Sequence, residues 1–131
     1  MFRRRRVEVH APPPERMKLI LVVNAGLKMS KGKIAAQVGH ASVSAALTAR
    51  RRASHLLDSW LSGGQRKVCV KGRDADHLRE LMAAAKEAGI ATERIRDAGR
   101  TEIPAGSLTV VSIGPDDGTL IDTITGDLPL L

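Results

Sequence analysis

The sequence predicts an α/β protein, a three-layer α/β/α sandwich around a mixed four-stranded sheet. Two patterns lead to this prediction. Lys18–Val23 is a continuous apolar run rich in branched residues, which is typical of a strand buried on both faces. From residue 67 onward, strand-like and helix-like patterns alternate, which indicates strands joined by packed helices. With 131 residues and 43% hydrophobic content, the chain is long enough for one such domain.

The first strand leads through a short loop into a long helix. The loop is Asn24–Ser30, and its last residue can cap a helix that begins near Lys31 and runs to about Arg52. One face of this helix is expected to pack, because apolar residues recur at helical spacing: Ile34, Val38, Ala41, Ala45 and Ala49. A second, shorter helix over Ser54–Leu61 should end before Ser62-Gly63-Gly64.

The second half of the chain predicts three more elements and a reversal. A strand over Lys67–Lys71, a helix from Asp74 to about Ala88 and a strand over Ile90–Ile95 form a β-α-β unit. We therefore expect these two strands to be a parallel pair with a right-handed crossover. The strand Ser107–Ile113 should return antiparallel, since the connection Arg96–Ala105 contains no helical pattern.

The two ends of the chain differ in character. Gly114-Pro115 is expected to stop the last strand, and Asp116–Thr125 to form a closing helix. The apolar residues Leu128–Leu131 should pack against the domain. Residues 1–16 combine an arginine run with three prolines and predict a flexible basic extension, which leaves residues 17–131 as the folded domain.

Charge and composition narrow the partners. The formal charge of +7 and a pI near 10.3 indicate a polyanionic partner such as nucleic acid. Aromatic residues make up only 2%, so a base-stacking platform is not expected. Cys69 is the single cysteine, which excludes an intramolecular disulfide and predicts a reducing, cytoplasmic compartment. No apolar run approaches the length of a membrane span, so no membrane association is expected.

The long helix carries a candidate site. Lys33, Gln37, His40 and Ser44 are spaced i, i+4, i+7 and i+11 and fall in one polar stripe about 60° wide. The first helical turn, with Lys31, Lys33 and free backbone N–H groups, is suited to a phosphate oxygen or a developing oxyanion. An ordinary solvated helix face would look the same, and this alternative stays open on the stripe alone.

A second candidate lies in the loop Arg96–Ala105. Ligands bind beyond the carboxyl ends of parallel strands, which predicts that this loop and Asn24–Gly32 meet at one sheet edge. Asp97 would then approach Lys33 and His40. A carboxylate, an ammonium group and an imidazole in one cleft can position water, take its proton and stabilise negative charge. A plain turn built on Asp97 is the alternative.

Other chemistries have less support. Five residues separate Gly26 from Gly32, and Ile34 replaces the Ser/Thr of a phosphate-binding P-loop, so nucleotide hydrolysis is rejected. A serine-hydrolase elbow of the Gly-x-Ser-x-Gly type is absent from the sequence. The histidines lack metal-ligand spacing, so neither metal nor cofactor is expected.

The order of these motifs resembles the type 2 peptidyl-tRNA hydrolase family of archaea and eukaryotes. The resemblance spans Met17 to Leu131 and rests on several segments at matching separations: Lys18–Val23, Lys31–Ala41, Asp97–Thr101, Ile113–Pro115 and Ile121–Gly126. It implies a mixed four-stranded sheet between helix layers, commonly a homodimer, and metal-free hydrolysis of the ester that joins a peptide to the terminal ribose of tRNA.

The resemblance also implies site residues. Activity-associated positions fall on Lys33, Asp97 and Thr101, with Gln37 and His40 in the same pocket. We assign catalytic roles to Lys33, Asp97, Thr101 and His40, and substrate binding to Lys31, Gln37, Ser44 and Arg100. The family usually has glutamine after the threonine, whereas this chain has Glu102, which adds a negative charge beside a site for a polyanion.

Two alternatives remain at this point. Covalent attack by Thr101 is less favoured than water activation at Asp97, because no adjacent residue is an evident base for the hydroxyl. A non-catalytic RNA-binding or interaction module on the same fold would use the polar stripe only for phosphate contacts. The presence of Asp97 and Thr101 favours the enzyme, since a backbone binder does not require them.

Overall fold

The computed structural model describes residues 10–99 and 102–131. These residues form four strands and four α-helices, and all predicted elements are present. Their bounds are β1 Met17–Asn24, α1 Lys31–Arg52, α2 Ser54–Ser62, β2 Lys67–Gly72, α3 Ala75–Glu87, β3 Thr92–Arg96, β4 Leu108–Asp117 and α4 Gly118–Thr125. Short 3₁₀ turns precede and follow β1, at Pro14–Arg16 and Ala25–Leu27.

The sheet is mixed and has the strand order β2-β1-β4-β3. β1 pairs in parallel with β2 and antiparallel with β4, and β4 also pairs antiparallel with β3. The prediction that β4 returns antiparallel is therefore confirmed, and β1 lies in the interior of the sheet. The expected parallel pair of β2 and β3 is wrong, because these strands occupy opposite edges.

The composition of the strands explains this order. β1 and the first eight residues of β4 are buried throughout, so both of their faces need cover. β3 carries charged residues at three of five positions, Glu93, Arg94 and Arg96, which suits an edge strand that meets solvent. Two antiparallel pairings bring β3 back into the direction of β2 without making the two strands neighbours.

Helices cover both faces of the sheet, which confirms the predicted α/β sandwich. Alternate residues of β1 point to opposite sides, as the pleat requires. Leu19 and Leu21 pack with α1 and α2, whose contributions are Ala41, Ala45, Ala49, Leu57 and Trp60. Ile20 and Val22 pack with α3 and α4, whose contributions are Leu78, Leu81, Met82, Ala85 and Ile121. The core therefore consists of one apolar layer on each side of β1 and β4.

β4 does not stop at Gly114-Pro115 as predicted but continues to Asp117. Its pairing with β1 shifts register between Lys18 and Ile20, so two residues of β4 lie opposite Leu19. Such a bulge removes Pro115 from the ladder, where its missing N–H would leave an unpaired carbonyl. Gly114 has φ of 108°, and a Cβ there would lie 2.9 Å from the carbonyl oxygen of Lys18. α4 consequently begins two residues later than predicted, at Gly118.

Both ends of the described chain contact the domain. The N–H of Lys71 donates to the carbonyl of Pro129 at 2.8 Å, and Leu130 forms a bridge with Val70, so the C-terminal backbone covers the outer edge of β2. The side chain of Leu130 is nevertheless 71% exposed. At the other end, the Ser59 hydroxyl donates to the carbonyl of Pro12 at 2.6 Å. Residues 1–9 of the predicted extension lie outside the described residues.

Candidate active site

An ion pair between Lys33 and Asp97 forms the centre of the candidate site. Lys33 lies in the first turn of α1, and Asp97 directly follows β3. The ammonium group of Lys33 donates to one carboxylate oxygen of Asp97, and the N–H of Gly99 donates to the other at 2.7 Å. The Asp97 side chain is 0% exposed and that of Lys33 is 11% exposed. A buried carboxylate needs such a cation and such hydrogen bonds to remain charged.

The loop that carries Asp97 closes on itself. The N–H of Asp97 donates to the carbonyl of Ser107 at 2.9 Å, and the N–H of Gly106 donates to the carbonyl of Asp97 at 3.0 Å. Gly99 and Gly106 have φ near +80°, which L-residues with a Cβ adopt rarely. A Cβ on Gly99 would also come within 2.9 Å of Ala105. The turn predicted from Asp97 and Gly99 is therefore present, and it places the carboxylate inward.

The two predicted loops meet at one sheet edge. Ser30 caps α1 through its hydroxyl oxygen, which accepts from the N–H of Lys33 at 3.3 Å. The N–H of Ser30 donates to the carboxylate of Glu102 at 2.7 Å, which joins the loop after β1 to the loop after β3. Asn24 adds a third link, because its amide donates to the carbonyl of Leu108 at 2.9 Å. The first turn of α1 is thus held against both β3 and β4.

The polar stripe of α1 is divided between core and surface. Gln37 is 3% exposed, and its amide donates to the Thr109 hydroxyl at 2.8 Å. That hydroxyl in turn donates to the carbonyl of Ile95 at 3.0 Å. Ser44 is half-buried and His40 is exposed. The stripe lies along the boundary between the packed and the exposed face of α1. Its members are therefore exposed to different degrees, although they lie on one side of the helix.

The remaining predicted site residues occupy different surroundings. Lys31 is exposed at the start of α1, two residues before Lys33. Arg100 and Thr101 fall outside the described residues, so their assigned roles stay predictions.

Among residues 10–99 and 102–131, no three His, Cys, Asp or Glu side chains lie close enough together to hold a metal ion. In the same part of the chain, no helix has the length and apolar character needed to cross a bilayer.

The contacts of two residues in this region were not predicted from the sequence. Thr109 links Gln37 to β3, and its signal in the sequence is a polar residue, one of two with Ser112, inside the otherwise apolar segment Leu108–Ile113. Glu102 was predicted only as an added charge, whereas it accepts a hydrogen bond from the residue that caps α1. Neither partner is adjacent in sequence, so the contacts could not be read from local patterns.

Taken together, the geometry supports acid–base and electrostatic chemistry on a polar substrate. Lys33 provides a positive charge at a helix N-terminus, a place that can stabilise a developing oxyanion. Asp97 fixes the direction of that ammonium group from a position with no exposed surface, where the attraction between the charges is stronger than in solvent.

Comparison with known proteins assigns this arrangement to a family. Residues 17–131 match the family model described as "Peptidyl-tRNA hydrolase PTH2". A peptidyl-tRNA hydrolase from Methanothermobacter thermautotrophicus is 48% identical over 115 residues, which cover 88% of this chain and 100% of that protein. The mouse protein named peptidyl-tRNA hydrolase 2, mitochondrial, is 50% identical over 113 residues, which cover 86% of this chain and 62% of the mouse chain. A relative from Thermococcus onnurineus, 44% identical over 116 residues, covers 88% and 98%. The chain therefore belongs to the PTH2 family of peptidyl-tRNA hydrolases.

Proposed function

We propose that this protein hydrolyses the ester bond between a peptide and the terminal ribose of tRNA, releasing free tRNA and peptide. The observation that carries the proposal is the Lys33–Asp97 pair, held at the start of α1 in a chain that matches the family along residues 17–131. The net charge of +7 suits a substrate whose phosphate backbone is far larger than its scissile bond. Binding energy can therefore come from Lys and Arg contacts while a small cleft performs the chemistry.

In the proposed mechanism a water molecule attacks the ester carbonyl. Lys33 and nearby backbone N–H groups stabilise the oxyanion of the tetrahedral intermediate. Asp97 takes the proton of the water, and the ester oxygen leaves with a proton as the ribose hydroxyl. Because the Asp97 carboxylate has no exposed surface beside Lys33, the mechanism requires this ion pair to rearrange when the substrate binds. Thr101 would hold the water or a ribose hydroxyl.

His40 has a more distant part in this mechanism. It lies seven residues after Lys33, about 10 Å along the helix axis, and is exposed, so it is farther from the ion pair than Lys33. We propose that it acts on the substrate through water or a ribose hydroxyl. Lys31, Ser44 and Arg100 would contact the tRNA backbone, whereas the burial of Gln37 supports a positioning role for that residue.

The deciding experiment is release of free tRNA from peptidyl-tRNA by purified, metal-depleted protein. We expect release by the wild type and its loss in Asp97→Asn, which keeps an oxygen that can accept from Gly99 but removes the charge. A protein that binds tRNA but releases nothing at high enzyme concentration would instead be a non-catalytic RNA-binding module.

We also propose a homodimer and a cytoplasmic location. The dimer follows from the family resemblance, and Val43 and Leu47, 60% and 45% exposed on α1, offer apolar surface for it. The single thiol of Cys69 is consistent with a reducing compartment. Sedimentation of the purified chain tests the first proposal. Cell fractionation tests the second, with mitochondria as the alternative because the mouse relative is named for them.

A further inference from the structure

The N-terminus of α1 lacks part of its own stabilisation. In a capping box, the N-cap Ser or Thr accepts from the N–H three residues later, and a Glu or Gln at that later position accepts from the N-cap N–H. Ser30 supplies the first half here, because its hydroxyl oxygen accepts from the N–H of Lys33. The first turn, Lys31-Gly32-Lys33, contains no acidic residue, and its two lysines oppose the helix dipole.

The second half of the box cannot come from α1. The residue three positions after the cap is Lys33, whose side chain offers only donors and is directed to Asp97. The N–H of Ser30 is bonded instead by Glu102, which lies 72 residues later and accepts at 2.7 Å. The carboxylate of Glu102 thus occupies the place of the missing glutamate.

We propose that Glu102 completes the capping box of α1 from the opposite loop and is a positioning residue for catalysis. Position 33 can therefore carry the site lysine, because Glu102 accepts the hydrogen bond from the N–H of Ser30. This hydrogen bond also joins the loop of Asp97 to the turn of Lys33 at a second point, in addition to the ion pair itself. This inference rests on the proposed function for its catalytic part, but the hydrogen bond is testable without any activity.

Capping of α1 and repulsion of the substrate depend on different properties of the side chain at position 102. Capping needs an acceptor at the reach of a Glu or Gln side chain. Repulsion needs only the charge. Glu102→Gln keeps the reach and removes the charge, whereas Glu102→Asp keeps the charge and is one methylene too short to maintain a 2.7 Å contact. Glu102→Ala removes both.

The experiment measures amide hydrogen exchange at Ser30 by NMR, together with kcat and KM on peptidyl-tRNA, in these three variants. Glu80→Ala, on the exposed face of α3, removes the same charge far from the site and serves as the control. We expect Ser30 exchange to accelerate about tenfold or more in the Asp and Ala variants, with kcat reduced roughly tenfold, while the Gln variant and the control stay near wild type.

Two outcomes would overturn the inference. If Ser30 exchanges at the wild-type rate in Glu102→Ala, Glu102 does not cap the helix. If Asp behaves like the wild type and Gln like Ala, the charge matters and the reach does not. Failure of the proposed function has a different signature, because wild-type protein would then release no tRNA while the exchange pattern still followed reach.

Discussion

At the scale of single residues, the main feature is a carboxylate with no exposed surface beside a lysine that is nearly buried. Removing one partner of such a pair leaves an uncompensated charge, which typically costs about 3–5 kcal/mol. The Lys33–Asp97 pair therefore affects stability as well as the proposed chemistry, and a loss of activity in a variant has to be separated from a loss of folding.

Lys33→Ala should lower kcat about 10²-fold or more, because an oxyanion-stabilising group acts in the transition state. The matched control is Lys31→Ala, an exposed lysine two residues earlier in the same turn, which should mainly raise KM. Steady-state kinetics over a range of salt concentrations checks both variants, after unfolding curves show that they are folded. A Lys33 variant with normal kcat and a salt slope reduced by roughly 0.7 to 1 would make Lys33 a phosphate anchor.

At the scale of elements, two buried side-chain hydrogen bonds in series hold α1 in position on the sheet. Gln37 donates to Thr109, and Thr109 donates to the carbonyl of Ile95, two residues before Asp97. These hydrogen bonds therefore connect α1, which carries Lys33, to β3, which directly precedes Asp97, one helical turn away from the ion pair. A buried amide without a partner is costly, so the contact selects one packing of α1.

Thr109→Val keeps the shape of the side chain but leaves the Gln37 amide without its acceptor. We expect a loss of about 1–3 kcal/mol in the free energy of unfolding, measured by urea denaturation. The double variant Gln37→Leu/Thr109→Val removes both partners and should recover part of that loss. No difference between single and double variants would show that the hydrogen bond does not hold the helix.

The junction of β4 and α4 carries adjacent aspartates with opposite pKa shifts. Burial raises the pKa of Asp116, although the N–H of Asp117 donates to its carboxylate at 2.7 Å. The Arg16 guanidinium bonds the carboxylate of Asp117 at 2.9 Å and lowers its pKa. Asp117 also caps α4 by accepting from the N–H of Thr119.

These shifts predict opposite pH dependences for two Asn variants. Asp117→Asn should be less stable than wild type at neutral pH, by up to about 1 kcal/mol because Arg16 is half-exposed. That difference should vanish as the pH falls from about 4 through the lowered pKa of the folded state. Asp116→Asn should be more stable than wild type at neutral pH, and this gain should disappear as the pH falls through the raised pKa toward 3.8. Denaturant titrations from pH 3 to 7 check both signs.

At the scale of the whole molecule, the N-terminal region combines two properties. Its arginines, Arg3 to Arg6, supply four of the positive charges that suit a tRNA partner. Its last residues contact the domain, through Pro12 with Ser59 and through Arg16 with Asp117. The two properties can be separated by where the chain is shortened.

Deleting residues 1–9 should leave thermal stability nearly unchanged and weaken tRNA affinity modestly at low salt, because it removes an arginine run whose composition does not favour burial. Deleting residues 1–16 should also lower the melting temperature by a few degrees, since the Pro12 and Arg16 contacts are lost. Thermal melts and binding at two salt concentrations distinguish these effects. An equal melting temperature for both proteins would show that residues 10–16 add no stability.

The sequence by itself determined the elements, their order and the family, because these depend on local patterns. Periodicity located β1 and α1, and Ser30 marked the start of the helix within one residue. The meeting of the two loops also followed from sequence, since strand direction places carboxyl ends together.

Only the tertiary structure decided which strands are neighbours and which stripe residues are buried. β2 and β3 lie at opposite edges because β1 and β4, which are buried along most of their length, occupy the two central positions. The burial of these strands sets the order, and the length of a connection does not. Gln37 and Glu102 changed meaning for the same reason: their partners, Thr109 and Ser30, lie 72 residues away in the sequence. A hydrogen bond across such a distance depends on how the layers pack, and no local pattern records that packing.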